Sequence, residues 1–487
     1  MRQRTWLGAR AALTPDAPAL DCAGVTWTFG ELEREARARA RSLAALGVTP
    51  GDLVAALVPN GAELVALVHA AQLAGAALVP LNLRLTPREL AFQLGDARPR
   101  LLVHAPELVT TVQAACAETP GLRRAATPLP AAPADAPLCD QIELAAACAV
   151  VYTSGTTGAP KGAVLSHAAF LWSAIGSAFH LCNAPGDHWL ACLPLQHVGG
   201  LAILYRSALT GAAVTVHERF DPARVAAELD WGDVTLVSLV ANMLERVLDA
   251  WGERPAPPRL RAVLVGGGPA PAPLLRRARR LGFPIVTTYG LTEAASQVAT
   301  LPLERARAPG DAIGRPLFCN ELRIVSPEGV TLPAGEPGEI AVRGPTLMTG
   351  YLRRPEATAR ALRDGWLHTG DVGALDGSGD LRVLDRRSDL IVTGGENVYP
   401  AEVEATLREH PSVADAAVAA ESDAAFGARV SAWVVVRPGS SLSHSELASF
   451  CRERIAGYKV PRALYLVPSL PRTESGKLLR RALAPPS

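Results

Sequence analysis

The sequence predicts an α/β protein. We expect a large N-terminal domain of parallel sheets flanked by helices plus a small barrel-like piece, and a small mobile α+β C-terminal domain. Through roughly the first 300 residues, short β-branched or leucine-rich runs alternate with alanine-rich amphipathic stretches, as in βα units. Later, Glu321–Val325 and Glu339–Val342 flank a Pro/Gly-rich turn, which predicts antiparallel hairpins. The chain has 487 residues, too many for one ordinary core.

The alternation can be followed from one segment to the next. The first block predicts strands and helices, in order, at Leu53–Val58, Glu63–Ala74, Ala77–Pro80 and Pro87–Leu94. The second block predicts a strand, a helix and two strands at Val214–Val216, Pro222–Leu229, Val234–Val237 and Arg261–Val265. The apolar stretch Leu64–Val79 contains His69, Gln72 and Gly75, so we expect a buried helix running into a strand, not a membrane span.

Two domains are expected, over residues 1–385 and 386–487. The part beyond Asp385 has about a hundred residues, a usual size for an independent domain. The join reads DRRSD, which is short and polar and suits a hinge at residues 386–389. An exposed turn between strands is the alternative.

Composition excludes several classes of function. The 48 Lys and Arg against 47 Asp and Glu give a net charge of +1, so the chain has no basic field for nucleic acid or an anionic membrane. Eight scattered cysteines form no CxxC pair, and the N-terminus has no apolar signal region, so we expect reduced thiols, no membrane insertion and a cytoplasmic location. The oligomeric state is open, with a homo-oligomer among the options.

A loop rich in glycine and hydroxyl groups carries the strongest indication of chemistry. Residues Tyr152 to Gly162 read YTSGTTGAPKG, directly after the apolar run Leu144–Val151. Three glycines allow backbone N–H groups to close around phosphate oxygens, and Lys161 adds a mobile positive charge. Lys161 precedes glycine, so the loop is not a Walker A sequence. A solvated surface loop is the alternative.

This run resembles the phosphate-binding motif of the adenylate-forming superfamily, which includes acyl-CoA synthetases, luciferases and peptide-synthetase adenylation domains. The resemblance extends from TPDAPAL near the N-terminus to PRTESGKLLR near the C-terminus. In that family a carboxylate attacks the α-phosphorus of ATP to give an acyl-adenylate and pyrophosphate, and a thiol then displaces AMP. The resemblance implies a small carboxylic acid, ATP, Mg²⁺ and coenzyme A (as co-substrate) as partners.

The family pattern assigns roles to residues of the large domain. The implied phosphate-binding residues are Thr153, Ser154, Gly155, Thr156, Thr157 and Lys161. In the string TYGLTE, Glu293 matches the family's Mg²⁺-associated glutamate, with Thr157 as a second residue at the metal. Thr292 would contact the α-phosphate, and Tyr289 would stack on adenine beside Gly290. Taken alone, TYGLTE is also a plausible helix start with Thr292 as N-cap.

Further motifs complete the implied nucleotide site. Gly266, Gly267 and Gly268 follow the run Ala262–Val265 and would leave room for adenine and the acyl group, although a lone Gly-rich turn is weak support. Asp371 in GWLHTGD would accept both ribose hydroxyls, and Arg386 would contact ribose and phosphate. The alternatives are a turn aspartate and a surface ion pair.

The C-terminal motifs imply a moving part. By resemblance, Lys477 bridges the carboxylate nucleophile and ATP during adenylation. Lys477 then leaves the site when the small domain rotates about a pivot at Ser388. The same rotation brings a loop to face the active site and help form the coenzyme A channel, and this loop contains Gly394, Gly395 and Glu396. A solvated lysine is the alternative.

The acid to be activated is indicated by fewer residues. His197 lies where the family has a gate beside the acyl pocket, with a capping or core histidine as the alternative. Arg206 lies in the apolar stretch Leu201–Ala208, where an arginine needs an anionic partner or a route to water. A structural ion pair with another residue of the protein is the alternative to an anionic substrate.

The strings GGGPAP, LTEAASQ and DRRSDLIVTGGENVYPAEVE resemble the 2-succinylbenzoate–CoA ligases of menaquinone synthesis. In that subfamily the substrate's second carboxylate meets an arginine at the position of Arg206, and Ser296 and Gln297 would contact its polar groups. A serine and glutamine at a helix start are the alternative. Gln196 departs from the family pattern, where an aromatic residue is common, so the acid identity stays open.

Three other functions remain in view. A CoA ligase for another aromatic or medium-chain acid would not need Arg206. An adenylation domain feeding a carrier protein would require a carrier-like segment, which does not follow here. A non-catalytic nucleotide-binding protein would not need Lys161, Glu293, Asp371, Arg386 and Lys477 together.

Overall fold

The structure is a computed structural model that describes residues 1–153, 159–268, 270–308, 310, 312–385, 390–471, 478 and 480–484. Its α-helices are Trp6–Leu13, Phe29–Ala45, Ala62–Leu73, Pro87–Ala97, Val109–Ala115, His167–Leu181, Val198–Thr210, Pro222–Trp231, Ala241–Trp251, Ala272–Arg280, Pro355–Ala361, Pro400–Arg408 and His444–Arg452. Short 3₁₀ turns lie at Pro106–Leu108, Thr292–Ala294, Leu303–Arg305 and Arg480–Ala482.

The first sheet has seven strands. In spatial order they are Gly350–Tyr351, Lys161–Ser166, Ala147–Thr153, Ala77–Pro80, Leu53–Leu57, Leu101–His104 and Arg123–Ala126. The last five strands run parallel to one another, and the first two add an antiparallel edge. Helices such as Ala62–Leu73, which is buried along ten of its residues, supply the crossovers that parallel pairing requires.

The second sheet has nine strands. In spatial order they are Arg315–Pro316, Ser296–Thr300, Ile285–Leu291, Ala262–Val265, Leu236–Leu239, His188–Ala191, Ala213–Val216, Pro18–Cys22 and Val25–Thr28. The six strands from Ile285–Leu291 to Pro18–Cys22 are parallel, and both ends are antiparallel. The parallel strands are buried and apolar, as expected for strands covered on both faces.

A third, antiparallel sheet follows the two large ones. It contains Glu321–Val325, Gly338–Arg343, Trp366–Leu375, Leu362–Arg363 and Leu381–Asp385. The first two pair in register from Glu321 opposite Arg343 to Val325 opposite Glu339, which confirms the predicted hairpin. This sheet is the half-barrel-like piece of the fold.

The C-terminal part forms its own core. The hairpin Ile391–Thr393 and Glu396–Val398 precedes a sheet of Val413–Asp423, Gly427–Val436 and Ala463–Leu466. Helices Pro400–Arg408 and His444–Arg452 belong to the same part, and the buried side chains form a separate apolar cluster around Val403, Val418 and Val434. At the other end of the chain, Arg2–Arg4 pairs with Gln141–Glu143.

The predicted mixture of parallel sheets, a barrel-like piece and an α+β C-terminal part is confirmed. Most ends of the predicted segments differ from the observed ends by one to three residues. The largest shifts are at Val234–Val237, which pairs as Leu236–Leu239, and at Pro87–Leu94, where the helix continues to Ala97. Local apolar pattern locates a strand, whereas the hydrogen bonds with neighbouring strands set its ends.

Capping boxes fix where several helices begin. Thr28 with Glu31, Thr86 with Glu89, and Ser443 with Glu446 each satisfy two backbone N–H groups at a helix start. All eight cysteines are free thiols. In the described part of the chain, no helix combines the length and apolar character needed to cross a bilayer.

Candidate active site

A cavity of about 610 Å³ lies at the carboxyl ends of strands from both large sheets. Pro80 ends a strand of the first sheet, and Cys192, Val240 and Gly266 each follow a strand of the second, and all four residues line the cavity. This is the edge at which open α/β sheets bind ligands. Residues of the C-terminal part, among them Gly394, close the cavity from the other side.

The TYGLTE segment crosses the cavity wall as a strand, a turn and a returning strand. Strand Ile285–Leu291 leads into the 3₁₀ turn Thr292–Ala294, and strand Ser296–Thr300 returns antiparallel. A Cβ on Gly290 would lie 1.9 Å from the carbonyl oxygen of Ser296, so the tight return requires glycine. A one-turn 3₁₀ helix begins at Thr292, but its N-cap position is Leu291 and no side chain caps it, so the N-cap role considered for Thr292 is wrong. The helix start considered for Ser296 and Gln297 is also wrong, because both residues pair in a strand.

Glu293 is held by a tyrosine that the sequence did not suggest. Tyr351 Oη donates a hydrogen bond to Glu293 Oε1 at 2.7 Å, and Lys161 Nζ lies 5.4 Å from the centre of the Tyr351 ring. Thr292 and Glu293 line the cavity, as do Tyr152 and Thr153 at the start of the phosphate loop. The structure thus brings Lys161 and Glu293 to the same tyrosine.

Asp371 and Tyr289 are hydrogen-bonded partners. Tyr289 Oη donates to Asp371 Oδ2 at 2.7 Å, and Asp371 lines the cavity. The Tyr289 ring is buried in a cluster with Val298 and Ile324, while its neighbours Thr288 and Gly290 line the cavity. The predicted stacking of Tyr289 on adenine stays a prediction.

The glycine run lies at the edge of the cavity. Gly266 and Gly267 line the cavity, and a Cβ on Gly266 would lie 2.6 Å from Thr288 Cγ2. A Cβ on Gly268 would approach Val392 of the C-terminal part at 3.5 Å. A side chain at position 266 would therefore require Thr288 to shift, whereas a Cβ at position 268 would make an ordinary van der Waals contact with Val392.

His197 meets a buried carboxylate across the cavity. Its Nε2 lies 3.1 Å from Glu396 Oε2, while Asn82 Nδ2 and Arg84 Nη1 each donate to Glu396 at 3.3 Å. Burial raises the pKa of Glu396, but its hydrogen bonds and charge interactions with His197, Arg84 and Asn82 outweigh that effect and lower the pKa below its usual value. Gly394 and Gly395 precede Glu396 and line the cavity. The sequence placed this loop at the site and missed the His197–Glu396 pair, because 199 residues separate the partners.

Arg206 is a buried cation with no carboxylate partner among the described residues. It lies on helix Val198–Thr210, is 2% exposed, and lines the cavity. Its Nε and Nη2 atoms have no hydrogen-bond partner among the described residues, and its guanidinium carbon lies 5.5 Å from the centre of the Trp189 ring. Burial lowers the pKa of Arg206 to about 9. The ion-pair alternative finds no partner in the described ranges.

Gln297 and Ser296 lie in the same wall as Arg206. Gln297 is 2% exposed, its Nε2 donates to Thr300 Oγ1 at 3.0 Å, and its Oε1 has no partner in the part of the chain that the structure describes. Ser296 also lines the cavity. Buried polar atoms without partners next to a cavity indicate that a polar ligand completes the site.

Several predicted residues lie outside the described ranges. They are Ser154, Gly155, Thr156, Thr157, Arg386, Ser388 and Lys477. Their roles, and the hinge at 386–389, stay predictions. Over the described residues, no group of three or more His, Cys, Asp or Glu side chains is placed to hold a metal ion.

Two family profiles match the chain. The AMP-binding enzyme family matches residues 7–352, and the AMP-binding enzyme C-terminal domain matches residues 402–477. The 2-succinylbenzoate–CoA ligase of Geobacillus kaustophilus (strain HTA426) is 44% identical over 479 residues, which are 98% of this chain and 96% of the relative.

The o-succinylbenzoate CoA synthetase of Bacillus subtilis is similar in sequence and in structure. A double mutant of it, bound with its product analogue OSB-NCoA, superposes with a TM-score of 0.94 at 39% identity, over 99% of this chain and 98% of that chain. The complex with the acyl-adenylate intermediate OSB-AMP gives 0.77 at the same identity and coverage. The complex with ATP and magnesium ion gives 0.76 at 39% identity, over 99% of this chain and 100% of that chain.

The three matches have equal identity and nearly equal coverage. Their TM-scores therefore differ because parts of the chain are placed differently, not because different residues match. The arrangement of this chain is more similar to that of the product-analogue complex than to those of the other two complexes. With matches that span both parts of the molecule, the chain belongs to the AMP-binding enzyme family.

Proposed function

We propose that this chain is an ATP-dependent acid–CoA ligase that converts 2-succinylbenzoate, ATP and coenzyme A into 2-succinylbenzoyl-CoA, AMP and pyrophosphate, a step of menaquinone synthesis. Family membership and the relatives named above support the reaction class. A cytoplasmic location is part of the proposal and is supported by eight free thiols.

In the first half-reaction, an oxygen of the succinyl carboxylate attacks the α-phosphorus of ATP, and the bond to pyrophosphate breaks. Both reactants are anionic, so the site must supply positive charge and donors. Lys161 and the phosphate loop would hold the β- and γ-phosphates, and Lys477 would bridge the two reactants. Asp371, already oriented by Tyr289, would accept the ribose hydroxyls.

Magnesium bound here would neutralise charge on the phosphates. Among the described residues, Glu293 fits the ion best, because this acidic residue lines the cavity and Tyr351 Oη donates a hydrogen bond to one of its oxygens. An oxygen ligand of this kind suits Mg²⁺. Thr157 is the second residue proposed there.

In the second half-reaction, the thiol sulfur of coenzyme A attacks the acyl carbonyl carbon, the thiol proton leaves, and AMP departs with the bridging oxygen. Gly394 and Gly395 would border the path of the thiol, since both line the cavity from the C-terminal side. His197, held by Glu396, would lie beside that path. The similarity to the product-analogue complex supports this assignment.

The observation that carries the choice of acid is the state of Arg206. The guanidinium is 2% exposed in a cavity wall, and two of its nitrogens have no hydrogen-bond partner in the part of the chain that the structure describes, so an anionic ligand would stabilise it. The ring carboxylate of 2-succinylbenzoate stays charged while its succinyl carboxylate reacts, so it can supply that anion. Ser296 and Gln297 would meet the remaining polar groups.

The test is a panel of carboxylic acids assayed with ATP and Mg²⁺, with and without coenzyme A. Pyrophosphate and AMP are measured, and the thioester is identified by mass spectrometry. We expect 2-succinylbenzoate to give the highest kcat/KM and 2-succinylbenzoyl-CoA as product. A higher kcat/KM for acids with one carboxylate would point to another CoA ligase, and no acid-dependent pyrophosphate at all would point to a non-catalytic nucleotide-binding protein.

A further inference from the structure

A buried lysine joins the two parts of the molecule. Lys459 is 3% exposed, and its Nζ donates to Glu89 Oε1 at 2.6 Å and to Glu402 Oε1 at 2.7 Å. Glu89 lies on helix Pro87–Ala97, which packs on the first sheet, whereas Lys459 and Glu402 belong to the C-terminal part. We call these three residues the Lys459 cluster.

The cluster is embedded in other contacts across the same interface. Arg88 donates to both carboxylate oxygens of Glu409 at 2.9 Å, and the guanidinium of Arg84 lies 4.7 Å from the centre of the Tyr458 ring. The Arg88 pair is more than two-fifths exposed on both sides, so it contributes little. The Lys459 cluster is buried, as is Glu396, which meets Arg84 and His197 between the same two parts.

Charge balance in the cluster depends on the arrangement of the two parts. Burial disfavours the charged form of Lys459, but the carboxylates of Glu402 and Glu89 outweigh this and raise its pKa above the usual value. Glu402 and Lys459 both belong to the C-terminal part, whereas Glu89 lies on a helix that packs on the first sheet, so the contact between Lys459 and Glu89 depends on how the two parts are placed. Removing one partner from a buried ion cluster is strongly destabilising, so the cluster selects the arrangement in which Glu89 is present.

We propose that Lys459 and Glu89 are positioning residues for the coenzyme A half-reaction, because their contact holds the C-terminal part where Gly394, Gly395 and Glu396 face the cavity. The proposal rests on the proposed function. Neither residue takes part in the chemistry. Their contact sets how often the arrangement similar to the product-analogue complex is populated.

Glu89→Gln is the first test. Glu89 Oε2 also accepts a hydrogen bond from Thr86 N at 2.8 Å, and glutamine preserves such a capping box while it removes the charge that faces Lys459. We expect thioester formation from supplied 2-succinylbenzoyl-AMP and coenzyme A to slow by about tenfold or more, the scale of losing one charge from a buried pair. Adenylate formation should change less than about twofold.

Glu31→Gln is the matched control. Glu31 occupies the same position in the capping box with Thr28 on helix Phe29–Ala45, and its nearest cation is the exposed Arg34 on the same helix. Neither half-reaction should change in this variant. Equal loss of both half-reactions in Glu89→Gln, or no loss, overturns the proposal.

A double variant separates the charge contact from general packing. Lys459→Met leaves Glu89 and Glu402 facing one another without a cation. In that background Glu89→Gln removes a repulsion, so the double variant should form thioester faster than Lys459→Met alone. The same substitution therefore slows the wild-type protein and speeds the Lys459→Met variant. A slowing in both backgrounds contradicts the proposal, whereas a wild-type protein without ligase activity contradicts the proposed function instead.

Discussion

Replacing Arg206 by methionine should remove the recognition of the second carboxylate and little else. Methionine keeps the length and apolar stem of the side chain. In the variant, the ring carboxylate of 2-succinylbenzoate would enter a wall from which its guanidinium partner, 2% exposed in the wild-type protein, has been removed. Losing one partner of a buried charged pair costs about 2–5 kcal/mol, or roughly 30-fold to several-thousand-fold in kcat/KM.

The assay compares two acids that differ only in that carboxylate. 4-Oxo-4-phenylbutyrate keeps the succinyl chain and lacks the ring carboxylate. Acid-dependent pyrophosphate release should fall sharply for 2-succinylbenzoate in Arg206→Met, and should stay constant or rise for the monoacid, because the variant relieves an uncompensated buried cation.

Arg10→Met is the matched control for this substitution. Arg10 Nη2 donates to the carbonyl oxygen of Leu209 at 2.6 Å, near the end of the helix that carries Arg206. This variant should lower kcat/KM for both acids equally, if at all. An equal loss on both acids in Arg206→Met would show that Arg206 is structural and would refute the reasoning.

Two further substitutions test the site. Lys477→Ala should slow adenylate formation by at least about 10²-fold, the scale for losing one preorganised charge contact, while thioester formation from supplied acyl-adenylate survives; equal loss of both steps would count against domain alternation. Gly290→Ala places a Cβ 1.9 Å from the Ser296 carbonyl oxygen, so it should lower the free energy of unfolding by about 1–3 kcal/mol and abolish pyrophosphate release. Gly95→Ala is the control, because Gly95 lies on a helix with open space at the Cβ position, and it should leave the free energy of unfolding unchanged or raise it by up to about 1 kcal/mol. A Gly290→Ala variant as stable and active as this control would show that the return at Gly290 tolerates a side chain.

The sequence predicted the architecture because the deciding signals are local. Apolar runs and turn residues placed two strands of the first large sheet, three of the second and the hairpin at Glu321–Val325, with shifts only at strand ends. Motif strings also indicated that Glu293, Asp371, Gly266 and Gly394 belong to one site, and all four line the same cavity.

What the sequence missed depends on contacts between distant parts of the chain. Glu396 meets His197, Tyr351 meets Glu293, and Lys459 meets Glu89, across separations of 199, 58 and 370 residues. No local periodicity encodes which carboxylate a buried lysine will find. The helix start considered at Ser296 was wrong for a related reason, since pairing of two strands outweighed a local pattern, and at Thr292 only a single 3₁₀ turn forms, with Leu291 in the N-cap position.

The central claim is that the acid is activated by bonding its carboxylate oxygen to AMP, and oxygen transfer tests it most directly. The wild-type protein is supplied with 2-succinylbenzoate labelled with ¹⁸O in the succinyl carboxylate, together with ATP, Mg²⁺ and coenzyme A, and the products are analysed by mass spectrometry. AMP should gain one ¹⁸O atom for each thioester formed, because the bridging oxygen leaves with the phosphate. Unlabelled AMP, or label in the pyrophosphate, would contradict the account.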